Sequence, residues 1–399
     1  MRLSDTRMLP AVIVLSLFGA RAHAQEPADP PVAEAKKKKD KPKPEPGAPK
    51  VKKDPRVKLA EPWAEPDRLR ERALEASARR LFASEEPLVF TLTADFRAVN
   101  KDRNPDSVKR FPAKLSVAGD DGQERVLDVN LRSRGHSRLV YNCGFVPIRV
   151  EFPPETQTKG TPFAKQESLK LGTHCHGSRE YEQYALREYL SYKIFNLFTP
   201  RSFRARLAKA RYVDSKDGAL LFDKYAMFLE AESDVARRLE GRVATLPRVV
   251  FKDLEHDSLM LMMLFEYMIG NTDFSIYALH NVRLVQDSKR TLFAVPYDFD
   301  YGGLTDARYA VPAKALNLKT VMDRAYRGPC HSVEELQPYV ATFLEKKPQV
   351  MALVDSVPGF DNGSRKHAKT YLELFYDTIG NRGSLKRELV DSCSKKAGM

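Results

Sequence analysis

The chain has no uninterrupted apolar run of the ~20 residues needed to cross a bilayer. Its longest runs, Met8 to Phe18 and Leu259 to Ile269, reach roughly half that length. A transmembrane helix in the mature chain is therefore not expected. Nor is there a stripe in which aromatic and basic residues interleave, which speaks against nucleic acid as a partner. His174-Cys175-His176 lacks spaced partner ligands, so no zinc site is expected there. Cysteine is scarce, with four in 399 residues: Cys143, Cys175, Cys330 and Cys393. None lies near the start, which argues against a lipoprotein, and an even count favours two disulfides in an exported chain. Cys143 and Cys175 both flank strand candidates and are paired on that ground.

Export is suggested by the first residues. Arg2 and Arg7 precede or open the apolar run Met8 to Phe18, and Ala22-His23-Ala24 places small residues where a signal peptidase reads. Residues 1–24 thus read as a signal peptide cleaved after Ala24, with a periplasmic or secreted product. Residues 25–58 are rich in Pro, Lys and Ala, with almost no large apolar side chain. Such a segment buries too little surface to offset its ordering entropy, so it reads as a disordered tether. It holds eleven Lys and Arg against six Asp and Glu, a net +5 of the chain's +13, and residues 1–24 add +2. The basic balance is concentrated outside the folding part, where a loose attraction to an anionic envelope is plausible.

Residues 59–232 read as a lead-in helix and a β-rich lobe. Asp67 to Phe82 carries a charged helix with a narrow apolar stripe. Alternating apolar residues then mark strands at Leu88–Thr93, Ala113–Val117, Val126–Arg132 and Val146–Val150, expected to form an antiparallel lobe. Arg132-Ser133-Arg134-Gly135-His136-Ser137-Arg138 lies between the last two. A glycine among arginines can bring N–H groups and cations toward a phosphate, with Arg134 the candidate contact; an ordinary solvated hairpin turn is the alternative. In Glu167-Ser168-Leu169-Lys170-Leu171-Gly172 the leucines face one side and Lys170 the other, either a cleft, where it could reach a phosphate, or solvent. The following helix, Tyr181 to Phe198, offers Glu180, Glu182 and Glu188 as ion-pair partners for Lys170, and Glu188 is favoured. Further strands lie at Ala208–Val213 and Tyr225–Glu230, and residues 233–399 read as mainly helical.

The exception within those helices is Gly270 to Gly303. After the apolar run Leu259 to Ile269 comes Asn271-Thr272-Asp273, then His280-Asn281, a hairpin with strands at Val282–Val285 and Thr291–Val295, and Pro296-Tyr297-Asp298-Phe299-Asp300. Each piece alone could be a helix terminus or a turn. Together, an Asp on a loop, an Asn, a short hairpin and an Asp follow the order in which kinase-type sites hold a base and metal-bound phosphates.

With Arg-x-Arg-Gly-x-Ser, Leu-Lys-Leu, Asn-x-Asp, His-Asn and Pro-Tyr-Asp-Phe-Asp in order, residues 125–305 resemble the CotH family of atypical, spore-coat-type protein kinases. The resemblance implies an α+β, two-lobed protein-kinase-like fold with a β-rich N-terminal lobe and a mainly helical C-terminal lobe. It implies ATP with Mg2+, or Mn2+ in its place, in the cleft between them. Carried over by motif, Asp273 matches the catalytic aspartate, Asn281 and Asp298 the metal ligands, and Lys170 the phosphate-contacting lysine. Asp300, two residues on, is a further candidate for the metal. The function implied is transfer of the γ-phosphoryl group of ATP to an envelope or secreted protein. The alternative is a non-catalytic envelope interaction protein that keeps a kinase-like scaffold. The chain departs from the pattern in the longer gap between Asp273 and Asn281 and in Phe274, where many relatives carry arginine.

Overall fold

A computed structural model describes residues 57–393. The expected signal peptide, and the expected tether apart from its last two residues, lie outside the described residues. The short helix α1 (Val57–Ala60) leads into α2 (Pro66–Ser77), where proline opens the helix and Leu69, Ala73 and Ala76 form the buried stripe. Strand β1 (Leu88–Ala94) and helix α3 (Phe96–Lys101) follow, then β2 (Phe111–Ala118), β3 (Glu124–Ser133), β4 (Ile148–Glu151) and β5 (Ser168–Gly172). Helix α4 (Arg179–Phe198) crosses to the hairpin β6 (Ala205–Asp214) and β7 (Leu220–Leu229).

These seven strands close into a barrel in the order β1-β2-β3-β4-β5-β7-β6. The two-lobed kinase-like fold expected from the sequence is overturned by this closure: the β-rich part is a closed, mixed barrel. The seam is a parallel pairing of β1 with β6, from Leu88 opposite Ala208 to Ala94 opposite Asp214. All the other strand pairs of the barrel are antiparallel. Alternation along a strand tells which residues turn inward, but it carries no information about which two edges meet.

The barrel interior is filled by the inward set of each strand, among them Phe90, Leu115, Leu131, Ile148, Leu169 and Phe228. A second core lies outside it. There α4 packs with α6 (His256–Ile269), and β6 and β7 contribute Ala205, Leu207, Met227 and Leu229 from near their paired ends. Helix α5 (Glu232–Arg238), where the sequence turns helical from Asp234 to Leu239, and strand β8 (Gly241–Ala244), which no alternation marks, precede α6. Strand β8 joins the hairpin β9 (Val282–Asp287) and β10 (Leu292–Pro296) in a three-stranded sheet with β9 central. Helices α7 (Val333–Glu345), α8 (Lys347–Ser356), α9 (Asn362–Gly380) and α10 (Arg382–Leu385) complete the second core.

Helix α6 is apolar nearly all round, so it is buried, and it ends at Gly270 with a left-handed φ of 65°. A Cβ there would stand 1.9 Å from the Tyr371 hydroxyl, so only glycine fits. No helix among the described residues is long and apolar enough to cross a membrane.

Two disulfides form, Cys143 to Cys175 as expected and Cys330 to Cys393. They suit an oxidising compartment, periplasmic or extracellular. The bridges span 32 and 63 residues of sequence. Replacing either pair by serine should lower unfolding stability by about 2–4 kcal/mol. The longer loop should cost about 0.6 kcal/mol more than the shorter, since loop-closure entropy grows by that much per doubling. Denaturant unfolding of the two double variants measures both values; an unchanged midpoint in either would contradict the role of that bridge.

Candidate functional site

Three adjacent strands carry one row of cations. The register sets Arg132 of β3 opposite Arg149 of β4, and Arg149 opposite Lys170 of β5. Directly opposed residues share a face, and like charges so placed repel. Leu169 and Leu171 take the inner face, so Lys170 turns outward from the barrel, yet it is only 9% exposed. It lines a cleft of about 630 Å³ with Arg134, Arg149 and Arg283. Burial pushes the Lys170 ammonium down to about 8, Glu232 opposes the shift, and Arg134 and Arg283 add to it. Arg149 is likewise lowered, by burial first and then by Arg134 and Arg132. The Nε atoms of Arg134 and Arg149 are buried without a hydrogen-bond acceptor. A wall of crowded cations makes the cleft electrostatically favourable to an anion.

The cleft also receives Asp273, His280, Asn281 and Asp298. The hairpin positions the last two. Val282 pairs with Pro296, and the Tyr297 N–H donates to the Asn281 carbonyl at 3.0 Å, so Asn281 and Asp298 meet at the hairpin base. Both adopt left-handed φ, 53° and 68°. Such backbone costs free energy in a residue other than glycine and concentrates at functional sites. Asp273 is held by three neighbours. Its N–H donates to Asn271 Oδ1 at 3.0 Å, Asn281 Nδ2 donates to its carbonyl at 2.7 Å and to Oδ2 at 3.2 Å, and His280 Nε2 lies 3.2 Å from Oδ1. The hydrogen bond to Asp273 raises the His280 pKa despite partial burial.

Two expected placements are corrected. Lys170 does not pair with Glu188: its Nζ lies 3.1 Å from Glu232 Oε1, and Arg283 Nε reaches the same carboxylate at 2.9 Å. Burial raises the Glu232 carboxyl, but Lys170 and Arg283 outweigh it and hold its pKa low. Glu188 instead is buried in α4 beside Asp300 and Asp298, and desolvation with these two acids pushes its pKa well up. Asp300 does not line the cleft. It is 4% exposed and lies 3.6 Å from Arg138, and burial with the neighbouring Asp298 raises its carboxyl. Arg138 is the cation that serves these acids: burial disfavours its charge, and Tyr309, Asp300, Glu188 and Asp298 outweigh that. It was legible as a member of the arginine loop, but nothing in the sequence aimed it at Asp300.

Asn281 uses its amide nitrogen on Asp273, which leaves its oxygen for a cation. That oxygen and the Asp298 carboxylate, both lining the cleft, are donors of the type that magnesium or manganese takes. Among the described residues no trio of His, Cys, Asp or Glu is arranged to hold a metal ion. A cation here would bring phosphate and water oxygens as its remaining ligands, as magnesium commonly does.

No protein-family model matches the chain, and no curated protein matches it.

The histidine contact is open to direct measurement. In Asp273→Asn the His280 imidazole should titrate at lower pH than in the wild type, followed by NMR. The sign follows from the raised folded pKa: the protonated pair stabilises the fold below the ordinary histidine value of about 6.5 and that contribution is lost as pH rises through the folded value. An unshifted titration in the variant would contradict the contact.

Proposed function

We propose that the cleft binds a nucleoside triphosphate with a divalent cation and transfers its terminal phosphoryl group to a hydroxyl of an envelope or secreted protein. The observation that carries this reading is the confrontation of Arg134, Arg149, Lys170 and Arg283 with Asp273, Asn281 and Asp298 across one cleft. Phosphoryl transfer needs little covalent chemistry from a protein; it needs cations on the phosphates and a carboxylate at the nucleophile. The resemblance to CotH-family kinases adds the ATP and the protein acceptor, on a barrel-based scaffold.

In this reading the arginines and Lys170 bind and orient the phosphates. A smaller cavity of about 230 Å³ adjoins the cleft through Arg149 and Lys170 and has room for a base. Asp273 accepts the proton of the acceptor hydroxyl as its oxygen bonds to the terminal phosphorus and the bond to the nucleoside diphosphate breaks. His280 and Asn281 keep the Asp273 carboxylate oriented. A cation on Asn281 and Asp298 would offset the charge of the phosphate oxygens. Asp300 and Glu188, with Arg138, support the loop from behind.

Nucleotide at ~100 times its dissociation constant should stabilise the wild type by about 2.7 kcal/mol in a thermal-shift titration with magnesium. Asp298→Ala should lose that stabilisation. Asp273→Asn should keep it while radiolabelled transfer to envelope extract falls about 10²–10⁴-fold. Asp300→Asn should keep the magnesium-dependent shift, because its carboxylate faces Arg138 and not the cleft. A wild type with neither nucleotide-dependent shift nor transfer, in magnesium or manganese, would overturn the reading and leave the non-catalytic envelope interaction protein.

A further inference from the structure

The chain between β10 and α7 has no strand and one short 3-10 turn, yet it carries two arginines three residues apart whose guanidiniums both turn to backbone carbonyls. Arg324 donates from Nε to Tyr267 O at 3.1 Å and from Nη2 to Met268 O at 3.2 Å, in the last turn of α6, and from Nη2 to Tyr371 O of α9 at 2.6 Å. Cations at that end of a helix complement its dipole and its unpaired carbonyls. Arg327 continues one step further. Its Nη1 donates to Thr272 O at 2.7 Å and to Phe274 O, the carbonyls on either side of Asp273, and its guanidinium carbon lies 5.0 Å from the Phe274 ring centroid. Three residues on, Cys330 is bridged to Cys393.

We propose that Arg327 is a positioning residue: by holding the carbonyls of Thr272 and Phe274 to one side it keeps the Asp273 carboxylate facing the cleft, with the Cys330–Cys393 bridge anchoring the clamp. The backbone of the Asp273 loop is gripped from three sides, one of them Asn281 Nδ2 on the Asp273 carbonyl. Asn271 Oδ1 takes its N–H from within, and Arg327 takes the two flanking carbonyls from the C-terminal segment. One guanidinium nitrogen donating to two carbonyls two residues apart restrains that backbone at two points, which a single contact does not. Arg327 does not line the cleft, so it acts through Asp273 and not on substrate. The effect on turnover rests on the phosphotransfer reading; the clamp itself does not.

The test uses the full chain as Arg327→Ala and Arg327→Lys, with Arg324→Ala as a neighbour that holds α6 but not Asp273. The first readout is amide hydrogen exchange over residues 271–274 under conditions where every variant is folded. Arg327→Ala should speed exchange there by about tenfold or more, as loss of a local restraint does. The second is steady-state transfer from ATP. Arg327→Ala should lower kcat on the order of 10²-fold with KM for ATP within about threefold, since a misplaced catalytic group costs that much without loss of binding. Arg327→Lys should recover part of kcat, and Arg324→Ala should stay within about threefold of wild type on the same measure. Where Arg327→Ala does not fold, Arg327→Gln takes its place. Unchanged exchange, an unchanged kcat beside faster exchange, or an equal loss of kcat in Arg324→Ala would overturn the proposal. A wild type that transfers no phosphate would overturn the phosphotransfer reading alone, and the exchange result would still decide the clamp.

Discussion

Repulsion between Arg132, Arg149 and Lys170 is built into the pairing of β3, β4 and β5, because opposed residues on adjacent strands cannot turn away from one another. The fold meets part of that cost within itself. Glu151 lies 3.7 Å from Arg132, Ser168 accepts from Arg149, and Glu232 is shared between Lys170 and Arg283. One carboxylate for two cations leaves positive charge over, and the unpartnered Nε atoms of Arg134 and Arg149 leave donors over. The barrel supplies the rigidity that keeps the cations together. A closed sheet has no free edge along which strands could slip to relax the contact.

The opposite side of the cleft depends on a different balance. Asp298 and Asp300 are separated by Phe299, which is buried against Tyr192 and Phe265, and this anchor sends the two carboxylates to different places. Asp298 goes to the cleft with its N–H on the Tyr192 hydroxyl at 2.8 Å. Asp300 goes inward to Arg138 and Glu188. Arg138 comes from the loop after β3, so the acids behind the hairpin tie it to the barrel through one guanidinium. The cation loop and the aspartate loop are thereby held in one frame, as the proposed phosphotransfer would require.

Much of the local structure was legible. The alternation at Leu88–Thr93, Ala113–Val117 and Val126–Arg132 marks three strands that form, Gly270 marks the end of α6, and the turn at Asp287 to Arg290 marks the hairpin whose base joins Asn281 to Asp298. Lys170 could be assigned a face by its flanking leucines, although whether that face met a cleft or solvent could not be told. What stayed hidden is long-range. The β1–β6 seam, the row from Arg132 to Lys170, and the choice of Glu232 over Glu188 all depend on which elements meet in space, from neighbouring strands to segments more than a hundred residues apart. Periodicity reports facing, not partnership. Arg327 was hidden for the same reason: its partners are carbonyl oxygens, which every residue possesses and no sequence pattern marks.

If the cleft takes a nucleotide, its crowded cations read phosphate charge. Isothermal titration calorimetry of the wild-type protein with ATP, ADP and AMP, each with magnesium and at two salt concentrations, measures this without any variant. Affinity should rise with the number of phosphates, ATP exceeding AMP by about tenfold or more, and the difference should narrow as salt screens the charges. AMP binding as tightly as ATP, or no heat with any of the three, would contradict it.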